Sequence, residues 1–288
     1  MTAPRLLATC WTSAGDAAPK VRDERSPLDL GDRMRAAVAA GWEGFGIVHA
    51  DLVAYRDEHG LESLRRLAAD SGVKRLELEF IGDWWTDGDL RIASDTVRRD
   101  LFEAAEALAV PTIKIAGATA DAPEEALFHD ELGALAEEAG RYGARLAIEP
   151  LPFANVRTIH DGARLLAAVG ARNLGLCVDI WHVFRTHTPY SDIPAVLTAD
   201  QIFVVELDDG TAEPVGTLWD DTIDRRLSPG RGAFDVPAFI RAVEATGFDD
   251  YWGVEIIGAE HRAKPITRSL HDVRQDTLAC FAQAREEA

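Results

Sequence analysis

The chain has 288 residues, 47% hydrophobic and 27% charged, a composition that excludes a disordered or fibrous protein and leaves room for one large core. Thirty Lys and Arg against 49 Asp and Glu give a net charge of −19, which would repel a phosphate backbone and argues against a nucleic-acid partner. Cys10, Cys177 and Cys280 are odd in number, far apart and contain no CxxC, so neither a disulfide framework nor a thiolate zinc site is expected.

The N-terminal MTAPRLLATCWTSAGDAAP lacks the apolar run of a signal segment, and no stretch approaches the roughly 18 apolar residues of a membrane span. A cytoplasmic protein with no membrane partner is expected. From there, short apolar runs alternate with longer segments of helical period, the pattern of βα units around a parallel sheet. The first predicted strand is Leu6–Trp11, followed by a helix over Leu28–Ala40 that stops at Gly41. Strands follow at Gly44–Val48 and Arg75–Phe80, then a helix over Thr96–Leu108 and a strand over Thr112–Ala116. A helix over Glu124–Tyr142 leads to strand Leu146–Glu149, and a helix over Asp161–Val169 to strand Leu174–Asp179. The last strands are Ile202–Leu207 and Trp252–Ile256, with a helix over Val236–Thr246 between them, capped by Asp235 and carrying Pro237 just inside. Eight such units over residues 1–288 predict a single (β/α)8 TIM barrel, an α/β fold of roughly 250 residues. The longest predicted irregular segment, Asp208–Gly232, follows the seventh strand on the face where such barrels build their active sites.

Four carboxylates close four consecutive strands: Glu149 in LAIEP, Asp179 in LCVDIWH, Glu206 in FVVELDD and Glu255 in WGVEII. Neighbouring strand ends about 5 Å apart would crowd these charges, and a cation resolves the conflict. Oxygen-only ligation favours Mn²⁺ or Mg²⁺, admits Co²⁺ and suits zinc less. His182, three residues after Asp179, can ligate the ion, bind a hydroxyl or shuttle a proton. His49 ends the second strand in GIVHAD and is a candidate substrate contact. Lys114 in TIKIAG points either into the barrel mouth or into a salt bridge with a nearby carboxylate. Arg231 in LSPGRGAFD could clamp a carboxylate or hydroxyl, with Arg225 and Arg226 as competitors. Among Trp11, Trp84 and Trp85, Trp11 is the best candidate to face the apolar side of a sugar ring. The sequence has no GxGxxG opening a helix after the first strand, no GxxxxGKS/T and no GxSxG.

At these residues the chain resembles the xylose isomerase-like TIM barrel superfamily, which includes ketose 3-epimerases, inosose dehydratase, dehydroshikimate dehydratase and endonuclease IV. The resemblance rests on the Glu149 strand, on Asp179 with His182, and on PGRGAFDVPAFIRAVEATGFDDYWGVEI. It implies one metal held by residues matching Glu149, Asp179, a His ending the seventh strand, and Glu255. The chain departs there, since the family's HxKD reads Glu206, Leu207, Asp208, Asp209. Glu206 is then either a fourth hard ligand or a base beside a three-ligand ion. The three-metal nuclease is disfavoured, because the third strand leads to Trp84 and Trp85 and the seventh carries Glu206.

The expected function is aldose–ketose isomerisation or epimerisation next to a carbonyl of a sugar or keto-polyol. The metal would polarise the carbonyl, Glu149 and Glu255 would take and return the proton, and His182 and Arg231 would hold hydroxyls. The closest alternative is a metal-dependent dehydratase on an inosose-like or dehydroshikimate-like substrate, and a third is a non-catalytic binding barrel. Members of the superfamily are often homodimers, and the composition permits one here.

Overall fold

The apolar runs pair in chain order as one closed parallel barrel, seen in a computed structural model that describes residues 3–119 and 122–287. The strands are β1 (Leu6–Ala8), β2 (Gly44–Val48), β3 (Arg75–Ile81), β4 (Thr112–Ala116), β5 (Arg145–Glu149), β6 (Leu174–Asp179), β7 (Ile202–Leu207) and β8 (Trp252–Val254). Closure comes from β8 pairing with β1, Leu6 opposite Trp252 and Ala8 opposite Val254, so no sheet edge is left open. Residues such as Phe45, Ile47, Leu78, Ile113, Ile115, Leu146, Ile148 and Val178 join the helix faces in a single large core.

The barrel axis is filled differently. Lys114 on β4 reaches Glu206 on β7, three strands round the barrel, so both side chains lie in the interior. Glycines allow close approach there: a Cβ at Gly253 would stand 3.1 Å from Glu206 Cγ, and one at Gly46 would stand 2.4 Å from the Cys10 backbone nitrogen.

The first and last strands begin where expected but stop short of the sequence expectation at their C-terminal ends. The chain leaves β1 after Ala8 and forms a short 3₁₀ turn over Trp11–Ser13. There the Thr12 hydroxyl donates to the Val254 carbonyl at 2.7 Å and accepts from the Ile256 N–H at 2.8 Å, taking over the ladder bonds that strand pairing would have made. Glu255 consequently lies one residue past β8.

The helix expected from Thr96 begins at Gly88 and runs to Leu108. Its first turns present Leu90 and Ile92 to solvent, so they lack the apolar period that marks a buried face. His49 does not end a strand but opens a helix, His49–His59. The predicted irregular segment also contains structure: a helix over Leu218–Asp224, started by a Thr217–Asp220 capping box, and a bridge between Asp209 and Leu227. That bridge folds the segment back so that Arg226 returns to the barrel mouth. Among the described residues no helix is long and apolar enough to cross a membrane.

Candidate active site

The C-terminal ends of β5 to β8 deliver four carboxyl groups to one place. Glu149 and Asp179 are the last residues of β5 and β6, Asp179 lies opposite Glu206 in the β6–β7 register, and the Glu255 N–H bonds the Leu207 carbonyl at 3.0 Å. Each of the four offers an oxygen lying within 4.8 Å of the others, and all four side chains are buried.

Two permanent cations enter this ring from opposite sides. Arg226 lies above the strand ends, where its Nη1 donates to Asp179 Oδ2 at 2.6 Å and to Asp208, and stands 3.4 Å from Glu255 Oε2. Thr222 Oγ1 accepts from its Nη2 at 2.9 Å, which fixes the guanidinium plane. Lys114 rises from within the barrel, its Nζ 2.6 Å from Glu206 Oε1, 2.8 Å from Glu79 Oε2 and 3.3 Å from Glu255 Oε1. His182, on the helix that follows β6, brings Nε2 to 3.1 Å from Glu149 Oε1 and 3.8 Å from Asp179 Oδ2, while its buried Nδ1 has no hydrogen-bond partner.

Charge crowding divides the acids. Burial, reinforced by Glu149 and Glu79, lifts Glu255 to about 7 in spite of Lys114 and Arg226, and burial lifts Glu77 to about 7. Burial and acidic neighbours push Glu206 and Asp208 up from the usual carboxylate range, while the ammonium of Lys114 opposes the shift at Glu206 and the guanidinium of Arg226 opposes it at Asp208. For Glu149, burial raises the pKa, but His182, Lys114 and Arg226 together outweigh it and hold the group at about 2.

These residues suit a hard divalent cation. Seven buried carboxyl groups, Glu77, Glu79, Glu149, Asp179, Glu206, Asp208 and Glu255, face only Lys114 and Arg226 as permanent cations among the described residues. Asp208 Oδ1, buried at the ring, has no hydrogen-bond donor. An excess of carboxylate oxygens converging on one point is donor chemistry suited to a divalent ion.

The other sequence candidates are distributed more widely. Lys114 is only 1% exposed and lies beneath the ring, paired to carboxylates, so it does not face the mouth as a substrate contact. Arg231 is turned outward, 67% exposed, and pairs with Asp276 on the helix Ile266–Glu286. It stands outside the ring because the Asp209–Leu227 bridge directs Arg226, not Arg231, inward. His49 is on an outer helix, 2.9 Å from Asp100, which also binds Arg56. Trp11 is buried with Ala14, Ala17, Ala18, Val48 and Ile257, where the loops after β1, β2 and β8 meet. Trp84 donates to the Ala116 carbonyl at 2.9 Å and packs with Trp85 on Phe128, in the core.

The sequence reading passed over Glu77 and Glu79. Their signal is the period of two in RLELEF, which puts both carboxyls on the axis side of β3 opposite Lys114. Phe153 was also passed over; its ring stands edge-on to His182 at 6.5 Å and to Trp219 at 6.1 Å, making an aromatic wall outward from the ring.

The family model of the xylose isomerase-like TIM barrel matches residues 34–275, and the chain belongs to that family. A 3-dehydroshikimate dehydratase of Pseudomonas aeruginosa is 28% identical over 262 residues, covering 89% of this chain and 40% of its own. An inosose isomerase of Bacillus velezensis is 31% identical over 153 residues, 52% of this chain and 52% of its own. The matched regions thus span about half or less of these relatives' lengths. Among solved structures, a xylose isomerase-like TIM barrel/4-hydroxyphenylpyruvate dioxygenase fusion protein superposes with a TM-score of 0.84 at 23% identity, over 100% of this chain and 44% of its own. IOLI protein with a bound zinc atom gives 0.81 at 20% identity, over 97% of this chain and 99% of its own. These two show a shared fold.

Proposed function

We propose that this chain is a divalent-metal-dependent isomerase or epimerase that moves a proton next to the carbonyl of a sugar or keto-polyol through an enediolate. The observation that carries the reading is the convergence of Glu149, Asp179, Glu206 and Glu255 within 4.8 Å at the strand ends of this barrel. Hard oxygen donors favour Mn²⁺ or Mg²⁺, with Co²⁺ next. A divalent ion held by these four groups would supply positive charge to the carbonyl and its neighbouring oxygen as the enediolate develops.

The remaining work belongs to the chain's own side chains. Glu149, kept ionised by His182, Lys114 and Arg226 together, is the base: its carboxylate takes the proton from the carbon beside the carbonyl, and the C–H electron pair becomes the C=C bond of the enediolate. Glu255, the ring acid that follows β8, is the group that returns a proton. Returned to the neighbouring carbon, the proton completes an isomerisation; returned to the opposite face of the same carbon, it completes an epimerisation. Arg226 holds Asp179, Asp208 and Glu255 in place, and Phe153 with Trp219 offers an aromatic wall to the apolar side of the substrate.

A second reading, dehydration, is favoured by the dehydratase relative that aligns over 89% of this chain. In it the enediolate expels a β-hydroxyl: the C–O bond breaks, His182 Nε2 gives its proton to the departing oxygen, and water leaves. Both readings share proton abstraction beside a carbonyl. The test is incubation of the Mn²⁺-loaded protein in D₂O with a panel of ketohexoses, keto-inositols and 3-dehydroshikimate, followed by mass spectrometry. One solvent deuteron in a recovered isomer or epimer supports the first reading, and loss of water with new ultraviolet absorbance supports the second. Substrates recovered unlabelled across the panel would contradict both.

A further inference from the structure

Beneath the carboxylate ring lies a group that proton transfer does not use. Lys114 is nine-tenths and more buried, stands on β4, and finds carboxylates on β3, β7 and after β8. Its shortest contact is Glu206, and that residue is satisfied on both oxygens. Oε1 accepts from Lys114 Nζ at 2.6 Å, and Oε2 accepts from the Cys177 thiol at 3.2 Å. The Glu206 side chain is fully removed from solvent and, unlike Asp179 and Glu255, stands apart from Arg226.

We infer that Lys114 pairs Glu206 off as a neutral unit, so that the charge offered to a divalent ion is that of Glu149, Asp179 and Glu255, and Lys114 sets the site's cation affinity from below. The inference rests on the reading of the ring as a divalent-cation site. Its physical basis is local. A carboxylate bonded to an ammonium at 2.6 Å presents a dipole rather than a full charge to a third ion, and in a buried site that difference is only weakly screened. Lys114 is therefore a positioning residue: it reaches Glu255 at 3.3 Å and Glu79 at 2.8 Å, holding the floor of the ring at a fixed charge. Taking away its charge leaves Glu206 as a full anion against the ion. Taking away Glu206 leaves the ammonium facing the ion's place with one partner fewer.

The test is a double-mutant cycle read by isothermal titration of chelator-stripped full-length protein with Mn²⁺, with thermal unfolding in EDTA to verify that each variant is folded. Lys114→Met is expected to tighten Mn²⁺ binding about tenfold or more, and Glu206→Gln to weaken it by about the same factor, as one buried unit charge near the ion requires. The double variant is expected to return within about threefold of the wild type, each change cancelling the other. A double variant as weak as Glu206→Gln alone, or Lys114→Met unchanged from wild type, would overturn the inference. Should Lys114→Met fail to fold by itself, the comparison of Glu206→Gln with the double variant still decides, since that pair leaves no buried charge unpartnered at Glu206. Wild-type protein that binds no Mn²⁺ would instead remove the cation-site reading, and the inference with it.

Discussion

Replacing Arg226 by Met probes how the carboxylates of the mouth are held before any ligand arrives. The guanidinium is 2% exposed and donates to Asp179, Asp208 and Thr222. Met fills much of the same space but donates nothing, so Asp208, fully buried and with Oδ1 already lacking a donor, loses its ion-pair partner. Removing one partner of a buried, hydrogen-bonded ion pair costs about 3–5 kcal/mol. At roughly 2–3 °C per kcal/mol for a chain of this size, the melting temperature should fall by about 6–15 °C. Calorimetry in EDTA on wild type, Arg226→Met and Arg226→Met/Asp208→Asn measures it. The double variant should recover at least half of the loss, because neutralising Asp208 removes the stranded charge. A single variant within about 1 kcal/mol of wild type would refute the idea that Arg226 holds these acids.

Other consequences follow from the same charges. Glu77 and Glu255 titrate at about 7 in the folded chain, above their unfolded range near 4.5. Their contribution to stability is therefore complete below pH 4.5 and lost as pH rises through 7, so the melting temperature of metal-free protein should fall between pH 5 and 8. A saturating divalent ion should flatten that slope, and an equally steep slope with the ion present would contradict it. Arg231→Ala removes an exposed ion pair with Asp276 and should change stability by less than about 1 kcal/mol and leave Mn²⁺ affinity as it was. Gly46→Ala would drive a methyl to 2.4 Å from the Cys10 backbone nitrogen; chemical denaturation should show a loss of about 3 kcal/mol or more, and a neutral result would mean β1 shifts freely.

Much of this site was legible in the sequence, and the reason is geometric. An acid that closes an apolar run of strand length has to emerge where the strand ends, so Glu149, Asp179 and Glu206 could be placed without coordinates. Glu255 was placed almost as well, its strand being shortened only because Thr12 supplies the bonds to Val254 and Ile256. What could not be read were choices made by tertiary contact. LSPGRGAFD looks more like a ligand-binding loop than DRRL does, yet the bridge at Asp209 and Leu227 puts Arg226 in the mouth and Arg231 on the surface. Lys114 was seen with both of its options open, because the burial of an ammonium depends on partners on other strands, here the neighbouring β3 and the distant β7. The alternation of Glu77 and Glu79 was available to inspection, but as a half-buried strand it reads like a solvated face until the barrel closes around it.

The most direct test of the central claim is elemental mass spectrometry on purified protein, reconstituted with Mn²⁺ and freed of excess, beside the Glu149→Gln and Glu255→Gln variants. The account predicts about one divalent ion per chain, retained by the wild type and lost from both variants. Absence of any bound ion in the wild type, or equal metal in all three proteins, would contradict it and leave a barrel whose acids are balanced by Lys114 and Arg226 alone.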